Sequence, residues 1–367
     1  MITMSLIGVH EVRELVRSTA PAVSVYLGPR TDPADDAEHE LFLRRCAITR
    51  DLAWQGADRP SIDTVAQHLA VLATTDRAVI ARYGEVVLSH ELPGAVAYDL
   101  AAFGAPARVT PLLSWLQNRP AYVRAIVDRR GADLVTVSAG ATHGSHDSID
   151  GPDDDIRRRF PGGGQLPRMQ RRAEDSWMHN ARAVAQAIAG HVDRVHARLV
   201  LLSGDDRAVR LVAEQLRHFG RTPRIAVLAG TRHNPADDDA AHVMMALEQH
   251  VRAENAGRIA EILDGLGRHG AAVAGIEQTL TALNRGRLRA LVVVDDRSDV
   301  RTAWMGTDLL CSAYPRGRTA PESWVRAGRM VDIAVRAALL TRADVRVLSR
   351  PDGGELPGGI GGLLRSR

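Results

Sequence analysis

The residues of this chain best suited to chemistry lie between positions 157 and 172. Arg157, Arg158 and Arg159 precede the tripeptide Gly163, Gly164, Gln165, and Arg168, Arg171 and Arg172 follow it. Two adjacent glycines let the backbone take positive φ and approach a surface that a Cβ would block. Gln165 then offers a donor and an acceptor without charge. Arginines grip phosphate bidentately. A small polar tip on a cationic stem is what a crowded RNA pocket would admit, so RNA contact is expected from all nine of these residues.

The loop needs an element to carry it. Met169, Ala173, Trp177, Ala181, Val184, Ala185 and Ile188 recur at helical spacing, which predicts one packed face. Arg168, Arg171, Arg172, Asp175, Asn180 and Arg182 take the other positions and predict a largely basic face. On this pattern Trp177 is a core anchor of the helix and not a base stacker. Around it, strands are expected at Tyr122–Asp128 and Asp133–Ser138 as a hairpin, then at Arg198–Ser203 and Arg224–Leu228 with a helix at Asp206–His218 between them. Alternation of strand and helix argues an α/β sheet with parallel pairs. The acidic run Asp147, Asp150, Asp153, Asp154, Asp155 reads as a mobile excursion, its spacing unlike a calcium loop.

The stretch RRRFPGGGQLPRMQRRAEDSWMHNARAVAQAI resembles the middle domain of archaeal and eukaryotic class-I peptide release factors, where a GGQ loop precedes a basic helix. GIEQTLTALNRGRLRALVVVDD, Gly275–Asp296, is similar to the start of that family's C-terminal domain. The resemblance extends to the Pelota side of the superfamily and its bacterial branch of Balon-like ribosome hibernation factors. It implies three α/β domains: an N-terminal domain over 1–116 facing the decoding centre, an RNase-H-like middle domain over 117–235, and a ribosomal-protein-like α/β/α sandwich over 236–367 that engages a translational GTPase. The implied partners are the 70S ribosome, through rRNA of its decoding and peptidyl transferase centres, and elongation factor Tu. Neither the Asn-Ile-Lys-Ser nor the Tyr-x-Cys stop-codon motif is present, which argues against codon reading by that route. Three functions stay open: hibernation at the A site, GGQ-dependent peptidyl-tRNA hydrolysis, and an unrelated RNA-processing or stress function. Pro161 and the Leu166-Pro167 pair depart from the family's loop flanks, and Pro167 holds Leu166 extended, which weighs against hydrolysis.

Composition sets the outer limits. The chain has 367 residues, 45% of them hydrophobic, enough for two or three domains. All 47 basic residues are arginine. The absence of lysine excludes P-loop, Schiff-base and PLP-anchoring chemistry. No nucleotide or other cofactor is expected: the glycine-rich tail GGELPGGIGGLLRSR lacks the GxGxxG context. No metal is expected either, since His143, His146 and Asp147 stand on a polar loop without a second cluster. Cys46 and Cys311 read as core residues. No apolar run approaches a membrane span and no signal peptide is legible, so a cytoplasmic protein is expected, without DNA or membrane partners. Further expectations are a helix at Glu38–Trp54, a hairpin turning at Tyr83-Gly84, a long helix from Asp237 to about Leu266, a buried strand at Val292–Val294, a helix at Pro321–Leu340 and a strand at Val345–Leu348.

Overall fold

The computed structural model describes residues 8–28, 37–71, 76–141, 143–150, 166–218, 223–230, 239–267, 270–306, 312–313 and 324–365. The chain is mixed α/β, with a separate sheet at the centre of its N-terminal, middle and C-terminal parts. By contacts it forms two compact units, Met1–Gln117 with Arg252–Arg367, and Asn118–Val251.

The first unit begins with α1 (Val9–Arg17), β1 (Ala22–Tyr26), α2 (Ala37–Trp54), α3 (Arg59–Val71), β2 (Arg77–Arg82), β3 (Glu85–Glu91), β4 (Leu100–Gly104) and α4 (Thr110–Gln117). The sheet order is β3-β2-β1-β4, all antiparallel. The expected hairpin is present: Tyr83 and Gly84 both have positive φ, 54° and 79°, as a two-residue turn between twisted strands requires. Period-two alternation divides β1 between two cores. Val23 and Val25 meet Ile48, Leu52, Ile62 and Val65 of α2 and α3, while Ala22 and Tyr26 join the larger core.

The middle unit holds β5 (Tyr122–Val127), β6 (Gly131–Val137), β7 (Ser145–Asp150), α5 (Leu166–Val195), β8 (Leu199–Gly204), α6 (Asp206–Leu216) and β9 (Arg224–Val227). Its sheet runs β7-β6-β5-β8-β9. β5, β6 and β7 form an antiparallel meander, and β5, β8 and β9 are parallel. Ala181, Val184, Ala185 and Ile188 of α5 are buried against this sheet with Val209 and Val212 of α6. The helical spacing therefore located the packed face. Asp147 and Asp150 correct the expectation of an excursion: they lie on β7, an edge strand. A polar, acidic sequence suits an edge, because charge there deters pairing with another chain. Asp153, Asp154 and Asp155 lie outside the described residues.

α7 (Asp239–Gly267) contributes its residues up to Val251 to the middle unit and the rest to the first. There follow β10 (Ala272–Ala274), α8 (Ile276–Asn284), β11 (Leu288–Val294), β12 (Thr302–Gly306), β13 (Ser312–Ala313), β14 (Trp324–Arg329), α9 (Met330–Leu340), β15 (Asp344–Leu348) and β16 (Ile360–Leu364). One sheet is β10-β16-β11-β15, the other β13-β12-β14. One expectation fails here. Pro321–Leu340 is not one helix: Trp324–Arg329 pairs with β12 and the helix starts at Met330. The glycine-rich tail contains a strand, β16, held between β10 and β11.

α1 and α9 are tied reciprocally. Arg13 Nε of α1 donates to Leu339 O at 2.9 Å, in the last turn of α9. Arg336 Nε of α9 donates to Val16 O at 2.9 Å, in the last turn of α1. Helix C-termini leave carbonyls without intrahelical partners, and a cation there also complements the helix dipole. Val12, Leu15 and Val16 share a core with Val335, Ala338 and Leu339. Cys46, expected in the core, is exposed: the buried stripe of α2 runs through Ile48 and Leu52 instead. Cys311 lies outside the described residues.

Candidate functional site

Arg157, Arg158, Arg159, Gly163, Gly164 and Gln165 lie outside the described residues. Arg168, Arg171 and Arg172 fall in the first turns of α5, which begins at Leu166, so Leu166 is helical and not held extended by Pro167 as expected; side chains are described from Trp177 onward. The site can therefore be built at the point where α5 meets the sheet, about 16 Å along the helix axis from Leu166.

There the ends of three elements converge in a small cleft lined by Asp128, Arg129, Trp177, Asn180, Asp205 and apolar residues of α5 and α6. Two tight backbone approaches set it. Gly204 ends β8 with φ +128°, and a Cβ on it would lie 1.8 Å from Val127 O. Only glycine brings β8 this close to β5. Asp205 N then donates to Val127 O at 3.0 Å, and the Asp205 carboxylate caps α6 by accepting from Arg207 N and Ala208 N at 3.0 and 3.2 Å. On the other side, Asp128 Oδ1 accepts from Arg130 N and Gly131 N at 2.8 and 2.9 Å, which fixes the turn that carries Arg129.

Trp177 lies between these turns. The guanidiniums of Arg207 and Arg129 stand 4.3 and 5.1 Å from its ring centroid, within the range of cation–π attraction. Arg129 Nε is also 3.6 Å from Asp205 Oδ2. Asn180, read from sequence as a polar-face residue, is instead buried, 6% exposed, and its Nδ2 donates to Arg129 O at 3.1 Å. Trp177 Nε1 and Asn180 Oδ1 are buried without a partner among the described residues. The sequence pointed to Trp177 but not to Arg129 or Arg207, because parallel pairing of β5 with β8 brings together loops that are distant in the chain.

A second polar chain crosses the same sheet. His191 of α5 is 5% exposed. Its Nδ1 is 2.7 Å from Thr136 Oγ1 and its Nε2 3.3 Å from Asp147 Oδ2. The order hydroxyl, imidazole, carboxylate looks like a nucleophile relay. However, Thr136 is only 4% exposed, so no substrate carbonyl reaches it, and the chain fastens α5 to β6 and β7. Asp147 is thus engaged by His191. Among the described residues no group of three or more His, Cys, Asp or Glu could hold a metal ion.

In the first unit, a buried polar network joins the segment after β4 to the start of α9. Arg329 Nη2 donates to Asp295 Oδ1 at 2.7 Å, Arg329 Nη1 is 3.6 Å from Asp332 Oδ1, and Arg108 Nη2 is 3.7 Å from Asp295 Oδ1. Thr110 Oγ1 donates to Asp332 Oδ1 at 3.4 Å, and Tyr26 Oη donates to Arg108 O at 2.6 Å. Burial pushes Asp332 up from 3.8 to about 6, helped by Asp295 and opposed by Arg329, Arg108 and Thr110. Burial likewise raises Tyr26. No described helix is long and apolar enough to cross a membrane.

Known proteins fall in line with the sheet and the helix. Residues 121–271, which contain the GGQ segment, α5 and the cleft, match the model of bacterial archaeo-eukaryotic release factor family 2. The uncharacterized proteins Rv2629 and MT2704 of Mycobacterium tuberculosis are each 27% identical over 293 residues, 77% of both chains. Solved structures similar to the chain include Pelota of Archaeoglobus fulgidus, with TM-score 0.34, 12% identity, and coverage of 100% of this chain and 94% of that one. A ribosome-bound archaeal Pelota, from a model that also contains ABCE1, gives 0.42, 13%, 100% and 96%. Dom34 of S. cerevisiae gives 0.42, 10%, 74% and 75%. Over residues 121–271 the chain is similar to the bacterial archaeo-eukaryotic release factors of family 2.

Proposed function

We propose that this chain is a ribosome-binding translation factor that occupies the A site and protects idle ribosomes, in the manner of the Balon-like hibernation factors. The observation that supports the proposal is the family match over 121–271, a span of sequence that includes the GGQ tripeptide, its six flanking arginines and the 30-residue helix α5. On this reading 1–116 faces the decoding centre, 117–235 directs Gly163, Gly164 and Gln165 toward the peptidyl transferase centre, and 236–367 engages elongation factor Tu. The lack of both stop-codon motifs favours occupancy over decoding.

Ribosome binding is expected to weaken steeply with salt, because arginines displace counterions from phosphate. Replacing Arg157, Arg158 and Arg159 together by Ala should lower co-sedimentation with 70S particles and flatten its salt dependence. Unchanged co-sedimentation of the triple variant would leave this cluster as a solvated face.

The intact tripeptide favours a second reading, peptidyl-tRNA hydrolysis, in which the Gln165 backbone N–H would stabilise the oxyanion. Gln165→Ala separates the two. A hibernation factor keeps its ribosome occupancy, since one neutral contact contributes about 0.5–1.5 kcal/mol, and neither wild type nor variant releases nascent peptide from stalled ribosomes. Robust peptide release by the wild type that the variant loses would replace hibernation with hydrolysis.

A further inference from the structure

We propose that the cleft at the C-terminal ends of β5 and β8 is a ribonucleotide site: a ribose hydroxyl enters it, and the adjoining phosphate rests on Arg129 and Arg207. The proposal rests on the reading of the chain as a ribosome-binding factor only for the source of the nucleotide, an RNA strand.

Topology gives the place. The chain leaves β5 toward β6 on one side of the sheet and leaves β8 toward β9 on the other. The two connections part at the carboxyl ends of the parallel pair β5 and β8, and the cleft lies between them. The β5–β6 turn and the β8–α6 junction border this crevice, and α5 closes its third side through Trp177 and Asn180.

The unmatched atoms give the chemistry. Trp177 Nε1 can only donate and Asn180 Oδ1 can only accept. Both atoms are buried and have no partner among the described residues, although burial of an unmatched polar atom is costly. The Asn180 assignment is fixed by its other amide atom, which donates to the Arg129 carbonyl. One group that both donates and accepts would satisfy the pair, and a hydroxyl is the smallest that does so. The cleft encloses about 10 Å³, the room for one water-sized group and far less than a base needs. A base is therefore excluded and a hydroxyl fits.

The rim gives the phosphate. Arg129 and Arg207 are held against the indole, so little side-chain freedom remains to be lost when their forks turn onto an anion. Asp128 and Asp205 also border the site, but each carboxylate is already engaged by two backbone N–H groups. A hydroxyl beside a phosphate is the signature of RNA and absent from DNA.

The test uses the full chain and fluorescently labelled short oligouridylate, the matching oligodeoxyuridylate, and uridine monophosphate as a competitor. The wild type is expected to prefer RNA over DNA by about 5–10-fold, the worth of one or two hydrogen bonds. Trp177→Phe keeps the ring beneath the guanidiniums but removes Nε1–H, and should bring that preference close to unity. Arg129→Ala with Arg207→Ala should weaken both strands alike and reduce the salt slope by about one. Equal affinity for RNA and DNA in the wild type overturns the proposal, as does a preference that survives Trp177→Phe. A structure with oligouridylate bound elsewhere and a single water in the cleft overturns it too. Competition by uridine monophosphate at the strand's own affinity, lost in Trp177→Phe, supports the site and makes a free ribonucleotide its source. Co-sedimentation with ribosomes is scored separately. A wild type that ignores ribosomes yet shows the Trp177-dependent RNA preference removes the ribosome reading and leaves this one standing.

Discussion

Arg336→Ala is expected to destabilise the unit formed by residues 1–117 and 252–367 by about 3–5 kcal/mol, the sum of a cavity and buried carbonyls left without a donor. Arg336 is 1% exposed and reaches across 320 positions of sequence to Val16 O. Its mirror, Arg13, makes the same kind of contact to Leu339 O from a part-buried position, and Arg13→Ala should cost only about 1 kcal/mol. Trp177 is the one tryptophan of five outside this unit. In a Trp177→Phe background, urea unfolding followed by tryptophan fluorescence therefore reports on this unit alone. A loss below about 1 kcal/mol for Arg336→Ala would mean that α1 is held by its apolar face and not by the capping pair.

The second large effect concerns pH. Asp332 has a folded-state pKa of about 6, raised from 3.8 by burial, so the folded chain holds this proton more tightly than the unfolded chain. Its contribution to stability is greatest where the acid is protonated, falls as pH rises from about 4 through 6, and is level above that. Asp332→Asn removes the titration. The stability difference, variant minus wild type, should move in the variant's favour by about 2–3 kcal/mol between pH 4 and pH 7.5. Taking the difference cancels the other carboxylates that titrate in the same range. A difference that stays constant with pH would show that Arg329 and Arg108 fully offset the burial of the Asp332 carboxylate.

Much of the fold is legible in the residues, for identifiable reasons. The Tyr83-Gly84 turn, the apolar stripe of α5 and the Asp205 cap of α6 are local signals, and local geometry obeys them. β16 was hidden because its sequence, IGGLL, carries no alternation. The glycines are required by neighbours and not by a turn: a Cβ on Gly362 would lie 2.7 Å from Ala290 O. β14 shows no boundary in the sequence because Trp324–Arg329 runs directly into α9 without an intervening turn. β7 carries no strand signal because an edge strand needs no apolar face. The cleft was half legible. The helical period singled out Trp177, but it assigned Asn180 to the polar face, and nothing local marks Arg129 or Arg207 as neighbours of either.

The placement of β16 bears on how the chain is made. β11, the apolar strand LRALVVV, has its two neighbours in β15 and β16, both of which are synthesised later. At typical elongation rates of about 5–20 residues per second, β11 waits roughly 3–13 s for β16 to be added. Through that interval its valines are an open edge of high β-propensity, the kind of segment that pairs with other nascent chains. The arrangement that seals the finished sheet thus sets a vulnerable period during translation, and a chain stalled between residues 295 and 360 would be the form most prone to aggregate.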